Sequence, residues 1–346
     1  MEHTYKLSIV AIVYNLEKYL PRCLDSLVNQ TLDNIEILCV DDGSSDSSSK
    51  IIDDYAEKYP DKIKAFHKEN GGEFSARNYG LEKATGEYVT FVDTDDYVEL
   101  NWAEKLYTAA KKNNADMVVC GFERIDLETN KVIAKNMTKF GDTLKEVNSN
   151  DDFILFINPA PWNKLYKREL IKDFRFLPFR CFNDTMFIIT SYINIKKIAF
   201  VPEVLYHYYL RCDSQIHNIN IKDIENLKKY LLEVKNTYIK YNVYDEYKYI
   251  IDLMAFLHLG MSAMYRISYN KEVNIYKEIK RTIQYLDYNF PTWRKSPFLK
   301  FNYSIKRGLK HTGIYIISKL YKWNLGIIYI KIYKFFIDNL KIDIKF

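Results

Sequence analysis

The chain has 346 residues, 48% hydrophobic and 27% charged, with Tyr 30, Phe 20 and Trp 4 against Gly 11. That balance excludes a disordered or collagen-like chain and supplies apolar surface for one large domain or two smaller ones. Net charge is +5, too small for its total to name a partner. The cysteines (Cys23, Cys39, Cys120, Cys181, Cys212) form no C-x-x-C pair and follow no signal peptide, which reads as a reduced, cytosolic protein. No run of 18 uncharged apolar residues predicts a membrane-spanning helix.

Leu7 to Val13 is a β-rich run suited to a buried parallel strand. Leu16 to Gln30 reads as a helix, with Leu20, Cys23, Leu24 and Leu27 at helical spacing. Strands are expected at 35–40, 63–67 and 88–92, with helices at 47–59 and 75–84 between them. This β-α rhythm predicts an α/β fold with a mostly parallel sheet flanked by helices. Residues 101–215 are mixed: a helix at 102–113, a strand at 116–122, loop and edge strands over 126–152, a helix at 184–193, and an aromatic strand or turn at 206–211. From about Ile221 the text turns helical and rich in Lys, Ile and Tyr, which predicts a helical C-terminal region over 216–346.

Polar clusters fall just after the strands, where open α/β sheets bind ligands. Asp41 and Asp42 follow the second strand; Asp93, Asp95 and Asp96 follow the fourth. Clustered carboxylates at a strand end call for a hard cation, and Mg²⁺ typically bridges one or two carboxylates to substrate phosphates. The competing reading is an acidic turn capping the next helix. The Gly71-Gly72 turn lets backbone approach a ligand, and Arg77 beyond it is placed to pair with a phosphate or to bridge to an acidic loop. A dinucleotide G-x-G-x-x-G and a P-loop are both missing.

Taken in order, Ser8-Ile9-Val10-Ala11-Ile12-Val13-Tyr14-Asn15, Val40-Asp41-Asp42-Gly43-Ser44-Ser45-Asp46, Ser75-Ala76-Arg77-Asn78 and Gly86 through Asp96 strongly resemble glycosyltransferase family 2. The resemblance covers residues 6–215 and is densest before 105. It implies a GT-A fold and a cytoplasmic, mostly bacterial enzyme. Such an enzyme moves sugar from a nucleotide sugar with inversion, commonly into surface polysaccharide. It implies a nucleotide-sugar half at 1–100 and an acceptor half at 101–215. Tyr14 and Asn15 match the loop beside the nucleotide, and Asp41 and Asp42 the pair contacting the base, usually uracil. Arg77 matches a residue lining the donor site. Asp93 and Asp95 match the D-x-D carboxylates, Asp95 holding Mn²⁺ or Mg²⁺ on the diphosphate and Asp93 lying near ribose or metal. Asp184 matches the catalytic base; the family's Glu-Asp pair is Asn183-Asp184 here, without the first carboxylate. Residues 161–170, with Trp162 and Lys164, match the acceptor-side segment, where Trp162 would stack on a sugar unless it packs in the core. Arg211 matches a diphosphate partner. His207 is either a further metal ligand or diphosphate contact, or a packed histidine.

From Arg294 onward there are 12 basic and two acidic residues, a net +10 that leaves −5 elsewhere. Interleaved aromatics and Ile predict either an interfacial helix on an anionic membrane surface or an amphipathic helix packed on its own domain. No nucleic-acid motif accompanies the charge, so no nucleic acid is expected as partner. The resulting expectation is peripheral residence at the inner face of the cell membrane, with a glycan or lipid-linked acceptor. Rival readings are a sugar-nucleotide nucleotidyltransferase and a non-catalytic accessory subunit.

Overall fold

The computed structural model describes residues 4–138, 140–178, 182–210 and 219–340, the side chains of 337–340 excepted. It divides into two compact units. Of the described residues, the first takes those up to Val147, 159–178 and 183–210; the second takes Asn148–Asn158, Phe182 and 219–340. Segment 148–158 thus groups with the C-terminal helices.

The first unit runs β1 (Leu7–Val13), α1 (Leu20–Val28), β2 (Ile35–Asp41), α2 (Ser48–Lys58), β3 (Ile63–His67), α3 (Glu73–Lys83), β4 (Tyr88–Asp93), β5 (Tyr97–Val98), α4 (Trp102–Asn113), β6 (Met117–Asp126), β7 (Val132–Asn136), β8 (Leu144–Glu146), β9 (Lys164–Lys167), α5 (Arg168–Ile171), α6 (Asn183–Ser191) and β10 (Lys197–Leu210). The sheet order is β3-β2-β1-β4-β9-β6-β10-β5, with β7 on β6 and β8 on β10. β3, β2, β1 and β4 are mutually parallel. Beyond β4 the sheet is mixed: β9 runs antiparallel to β4 and β6, while β6 and β10 are parallel to each other.

Alternation along the strands gives the sheet two buried faces. Leu7, Ile9, Ala11 and Val13 of β1, with Ile35, Ile37 and Cys39 of β2, join one core with Leu20, Leu24 and Leu27 of α1 and Trp102 and Leu106 of α4. Val10 and Phe91 face the other way. There Val10 meets Gly80 of α3, and Phe91 meets Phe176 and Phe187. The described cysteines Cys23, Cys39 and Cys120 are free and buried.

Several boundaries differ from the sequence expectation for local reasons. The first helix starts at Leu20, with Pro21 in its first turn. Residues 14–19 instead make a loop tied to the next segment: Leu16 N donates to Ser48 Oγ (2.9 Å) and Glu17 N to Asp46 Oδ2 (3.1 Å). The expected aromatic strand at 206–211 belongs to the much longer β10, which passes Pro202 through register shifts on either side of Val204.

The second unit is helical: α7 (Ile221–Lys240), α8 (Tyr244–Ala255), a π-helical stretch (Phe256–Ala263) running into α9 (Met264–Ile267), then α10 (Ile275–Asn289), α11 (Phe301–Arg307), α12 (Leu309–Lys322) and α13 (Gly326–Leu340). Asn220 and Asp223 form a capping box at the start of α7. The continuous helix Tyr244–Ile267 is long and apolar enough to cross a membrane by length and composition, but 78% of its most apolar stretch is buried inside the protein. Phe256 stacks on Trp293 (ring centroids 4.4 Å apart), and Tyr321 donates its hydroxyl to the Gly260 carbonyl. The buried Asp252 in this helix is satisfied by Tyr244 Oη (2.8 Å) and by Thr292 N (2.8 Å) and Oγ1 (2.7 Å).

Candidate active site

Strand register assembles the site. In the ladder Asp41 pairs with Val13 and Asp93 with Ile12, so β2 and β4 flank β1 and end together. Tyr14–Asn15, Asp41–Asp42 and Asp93–Asp96 therefore leave the sheet together at the carboxyl ends of its strands, the usual place for a ligand in an open α/β fold.

Arg77 is the hub. Its side chain is buried, in the middle of α3, yet it carries a full charge that needs partners. Nη2 donates to Asp93 Oδ1 (2.8 Å) and Nη1 to Asp184 Oδ1 (3.0 Å), while Glu73 one turn earlier lies 3.6 Å from Nη1. The guanidinium also lies over the Phe176 ring (5.5 Å). A carboxylate from β4 and one from the first turn of α6, 91 positions apart in the chain, thus share one buried cation. Asp184 keeps 34% of its side chain exposed and Asp93 24%, so both remain open to a ligand. Burial pushes the Asp184 carboxyl up, Arg77 opposes this, and the charges of Glu73 and Asp93 add to it.

The four-residue acidic turn divides its labour. Asp96 is fully buried, accepting from Tyr209 N (2.8 Å) and Tyr206 Oη (2.8 Å), and burial holds its carboxyl well above the usual range. Thr94 Oγ1 donates to the Ile12 carbonyl (2.7 Å) and anchors the turn to β1. Asp95 is half-buried, and its backbone carbonyl accepts from Arg22 Nη2 (2.7 Å). Arg22 lies over the Tyr209 ring (3.9 Å) and near Tyr97 (5.3 Å). Arg22 and Tyr206 escaped the sequence reading, because nothing local marks a helix arginine or a strand tyrosine as a support for a distant turn.

Asp41 accepts from Ser44 N (2.9 Å) and Ser49 Oγ (2.5 Å), with His67 Nδ1 at 3.1 Å. Asp42 accepts from Gly71 N (3.0 Å), Gly72 N (2.7 Å) and Lys68 Nζ (2.5 Å). It thereby ties the glycine turn, with Gly72 at φ +86°, to the start of α3. Asn15 sits at φ +54°, its Oδ1 accepting from Ser45 N (2.8 Å), and the neighbouring Tyr14 is exposed. Asn78 clamps the segment before α6: its amide bonds both the N–H (2.9 Å) and the carbonyl (2.8 Å) of Phe176. Asn183 Oδ1 accepts from Leu177 N (3.1 Å).

Other expected residues sit deeper. Trp162 packs along Tyr206 (4.3 Å) and Tyr208 (5.4 Å) and meets the edge of Phe122 (4.8 Å), which makes it a core residue rather than an open sugar platform. Lys164 is wholly buried; Nζ donates to the Ala160 carbonyl (2.6 Å) and Asn163 Oδ1 (2.7 Å), and burial pulls its ammonium down to about 7. His207 is also packed. Nδ1 lies 2.9 Å from Glu123 Oε1, Nε2 2.9 Å from Glu99 Oε1, and the ring stacks on Tyr97 (4.2 Å), so metal ligation would first require a carboxylate to be given up. Arg211 lies outside the described residues.

Among the described residues no three His, Cys, Asp or Glu side chains are gathered into a metal cage. What is present, Asp93 and Asp95 on the turn after β4, both partly exposed, offers oxygen donors only. That donor set fits a Mg²⁺- or Mn²⁺-like ion completed by substrate phosphates and water rather than by protein alone.

Comparison with known proteins shows the family. The model of "Glycosyl transferase family 2" matches residues 8–175. Cholesterol galactosyltransferase of Borreliella burgdorferi is 30% identical over 369 aligned positions, covering 97% of this chain and 99% of that one. The chain belongs to glycosyltransferase family 2. The glycosyltransferase-type protein EpsH of Bacillus subtilis (strain 168) is 32% identical over 262 residues, covering 74% of this chain and 75% of that one. Among solved structures, S. aureus TarS 1-349 in complex with UDP-GlcNAc superposes with a TM-score of 0.66 at 22% identity, covering 91% of each chain, a likeness of fold. As a family 2 glycosyltransferase the chain is an enzyme with a GT-A fold, and enzymes of that fold commonly use divalent metals.

Proposed function

We propose that this family 2 glycosyltransferase moves a sugar from a UDP-linked donor to a hydroxyl of a glycan or lipid-linked acceptor, with inversion, in bacterial surface polysaccharide synthesis. The observation that carries the reading is the convergence of Asp93 and Asp184 on the buried Arg77, at the strand ends where Tyr14, Asn15, Asp41 and Asp42 also emerge. Uridine as the donor base is supported by the UDP-GlcNAc bound to the TarS fold relative. A lipid-side acceptor is supported by the full-length similarity to an enzyme named for cholesterol. The same reading puts the enzyme at the inner face of the cell membrane.

In this mechanism Asp95, with Asp93, would hold Mn²⁺ or Mg²⁺. When bound, the ion neutralises charge on the leaving group. Asp41 and Asp42 border the base, Tyr14 and Asn15 the adjoining loop. Asp184 accepts the proton of the acceptor hydroxyl as its oxygen bonds to the anomeric carbon. The carbon–oxygen bond to the diphosphate breaks on the opposite face, and UDP leaves. An α-linked donor gives a β-glycoside. Arg77 fixes the base and the first carboxylate of the turn relative to each other, which is the positioning that a single displacement requires.

A nucleotide-release screen across sugar nucleotides with Mn²⁺ or Mg²⁺, run with and without lipid-linked acceptors, tests the proposal. Release of UDP stimulated by an acceptor is expected. No release from any sugar nucleotide under either condition would favour the accessory-subunit reading instead.

A further inference from the structure

The last three helices present two different apolar faces. On α12, Ile314, Ile317, Ser318 and Tyr321 are buried and form the inward face. Leu309, Ile316 and Trp323 recur every seven residues on and just beyond the same helix, so they fall within about 40° of one another on the helical wheel. All three are exposed, Leu309 by 93% and Trp323 by 63%. α13 repeats the arrangement: Tyr329, Ile330 and Tyr333 are buried, while Ile328, Ile332 and Phe335 are exposed and share a face. An amphipathic helix packed on its own domain explains the inward rows. It gives no reason for the outward ones, which leave large apolar side chains in water on neighbouring helices.

Charge says what covers them. Between Asp287 and Asp338 the sequence has no acidic residue, and exposed Lys322 and Lys331 flank the outward rows. A second copy of the chain docking through this surface would set lysine against lysine without a carboxylate to relieve them. A nucleic-acid backbone would satisfy the lysines but not the leucine, isoleucine and phenylalanine side chains. An anionic bilayer satisfies both: headgroup phosphates take the lysines, and the acyl boundary takes the apolar rows. We infer that the outward faces of α12 and α13 are the membrane-contact surface of this enzyme and bind anionic lipid. The inference deepens the membrane reading given above and rests on it.

The test uses the full-length protein and sucrose-loaded vesicles, either of phosphatidylcholine alone or of equimolar phosphatidylcholine and phosphatidylglycerol. Trp323 is a built-in reporter, because Trp102, Trp162 and Trp293 are all buried. Wild type should sediment with the anionic vesicles and not the neutral ones, with a blue shift of emission that Trp323→Phe removes without releasing the protein. The triple variant Leu309→Ser, Ile316→Ser, Trp323→Ser should lose at least about tenfold in bound fraction, since each side chain contributes apolar area to the bilayer. Its circular dichroism and melting temperature should stay those of wild type. Wild type and triple variant sedimenting alike would overturn this face while leaving membrane association standing. Wild type that ignores anionic vesicles would overturn both. A concentration-dependent blue shift without vesicles, with dimer mass in light scattering, would assign the face to a second copy.

Discussion

At Asp184 two opposing forces meet. Burial and the charges of Glu73 and Asp93 push the carboxyl up, and Arg77 at 3.0 Å pulls it back. A general base works only when deprotonated, so its contribution is complete above its pKa and is lost as pH falls through it. Because that pKa is raised, the acidic limb of the kcat profile is expected above the range of an ordinary aspartate, and a pH–rate series at saturating donor measures it. Asp95 is expected to serve the donor instead. Asp95→Ala should abolish the metal-dependent part of nucleoside diphosphate affinity, and calorimetry with and without Mn²⁺ reads this directly; unchanged affinity would remove the metal role. The sequence marks Asp93 through Asp96 as one acidic run but does not say which carboxylates turn inward. Asp96 does so because Tyr206 and the Tyr209 N–H wait for it on β10, 110 and 113 positions away. For His207 and Trp162 the sequence offered the packed alternative but not the partners, which come from segments remote in the chain.

Elements show where local pattern suffices and where it stops. The helix Trp102–Asn113 is read correctly because its apolar spacing and its flanking residues agree. The helix beginning at Leu20 is shorter than its apolar periodicity suggests, since Asn15 at φ +54° and the bonds from Leu16 and Glu17 to the next loop hold 14–19 out of helical form. α3 carries Arg77 and must lie close on β1. A Cβ added at Gly80 would come within 2.3 Å of Val10 Cγ1. Gly80→Ala is therefore expected to destabilise the protein by about 1–3 kcal/mol despite alanine's better helix propensity, the overpacking penalty exceeding that gain; a urea titration measures it. Removing the Asn78 amide should leave the Phe176 N–H and carbonyl without their partner. Asn78→Ala is expected to cost about 1–3 kcal/mol in the same assay and to weaken acceptor use more than donor binding.

For the whole molecule, the order of motifs along the first hundred residues made the α/β fold legible, because each motif follows a strand end and parallel register brings strand ends together. Less of the second half was legible: β10 spans 14 residues, and its pairing with β6, β5 and β8 is set by contacts distant in sequence. The net +10 from Arg294 onward was visible as charge, but only the packing distinguishes the inward apolar rows of α12 and α13 from the outward ones. Carboxylates from β4 and α6 share Arg77 and, as proposed, act together, Asp184 as the base. Turnover and donor affinity measured together on Asp184→Asn test this most directly. Turnover is expected to fall by about a hundredfold or more, with donor affinity and fold unchanged. Near-normal turnover with the carboxylate gone would contradict it.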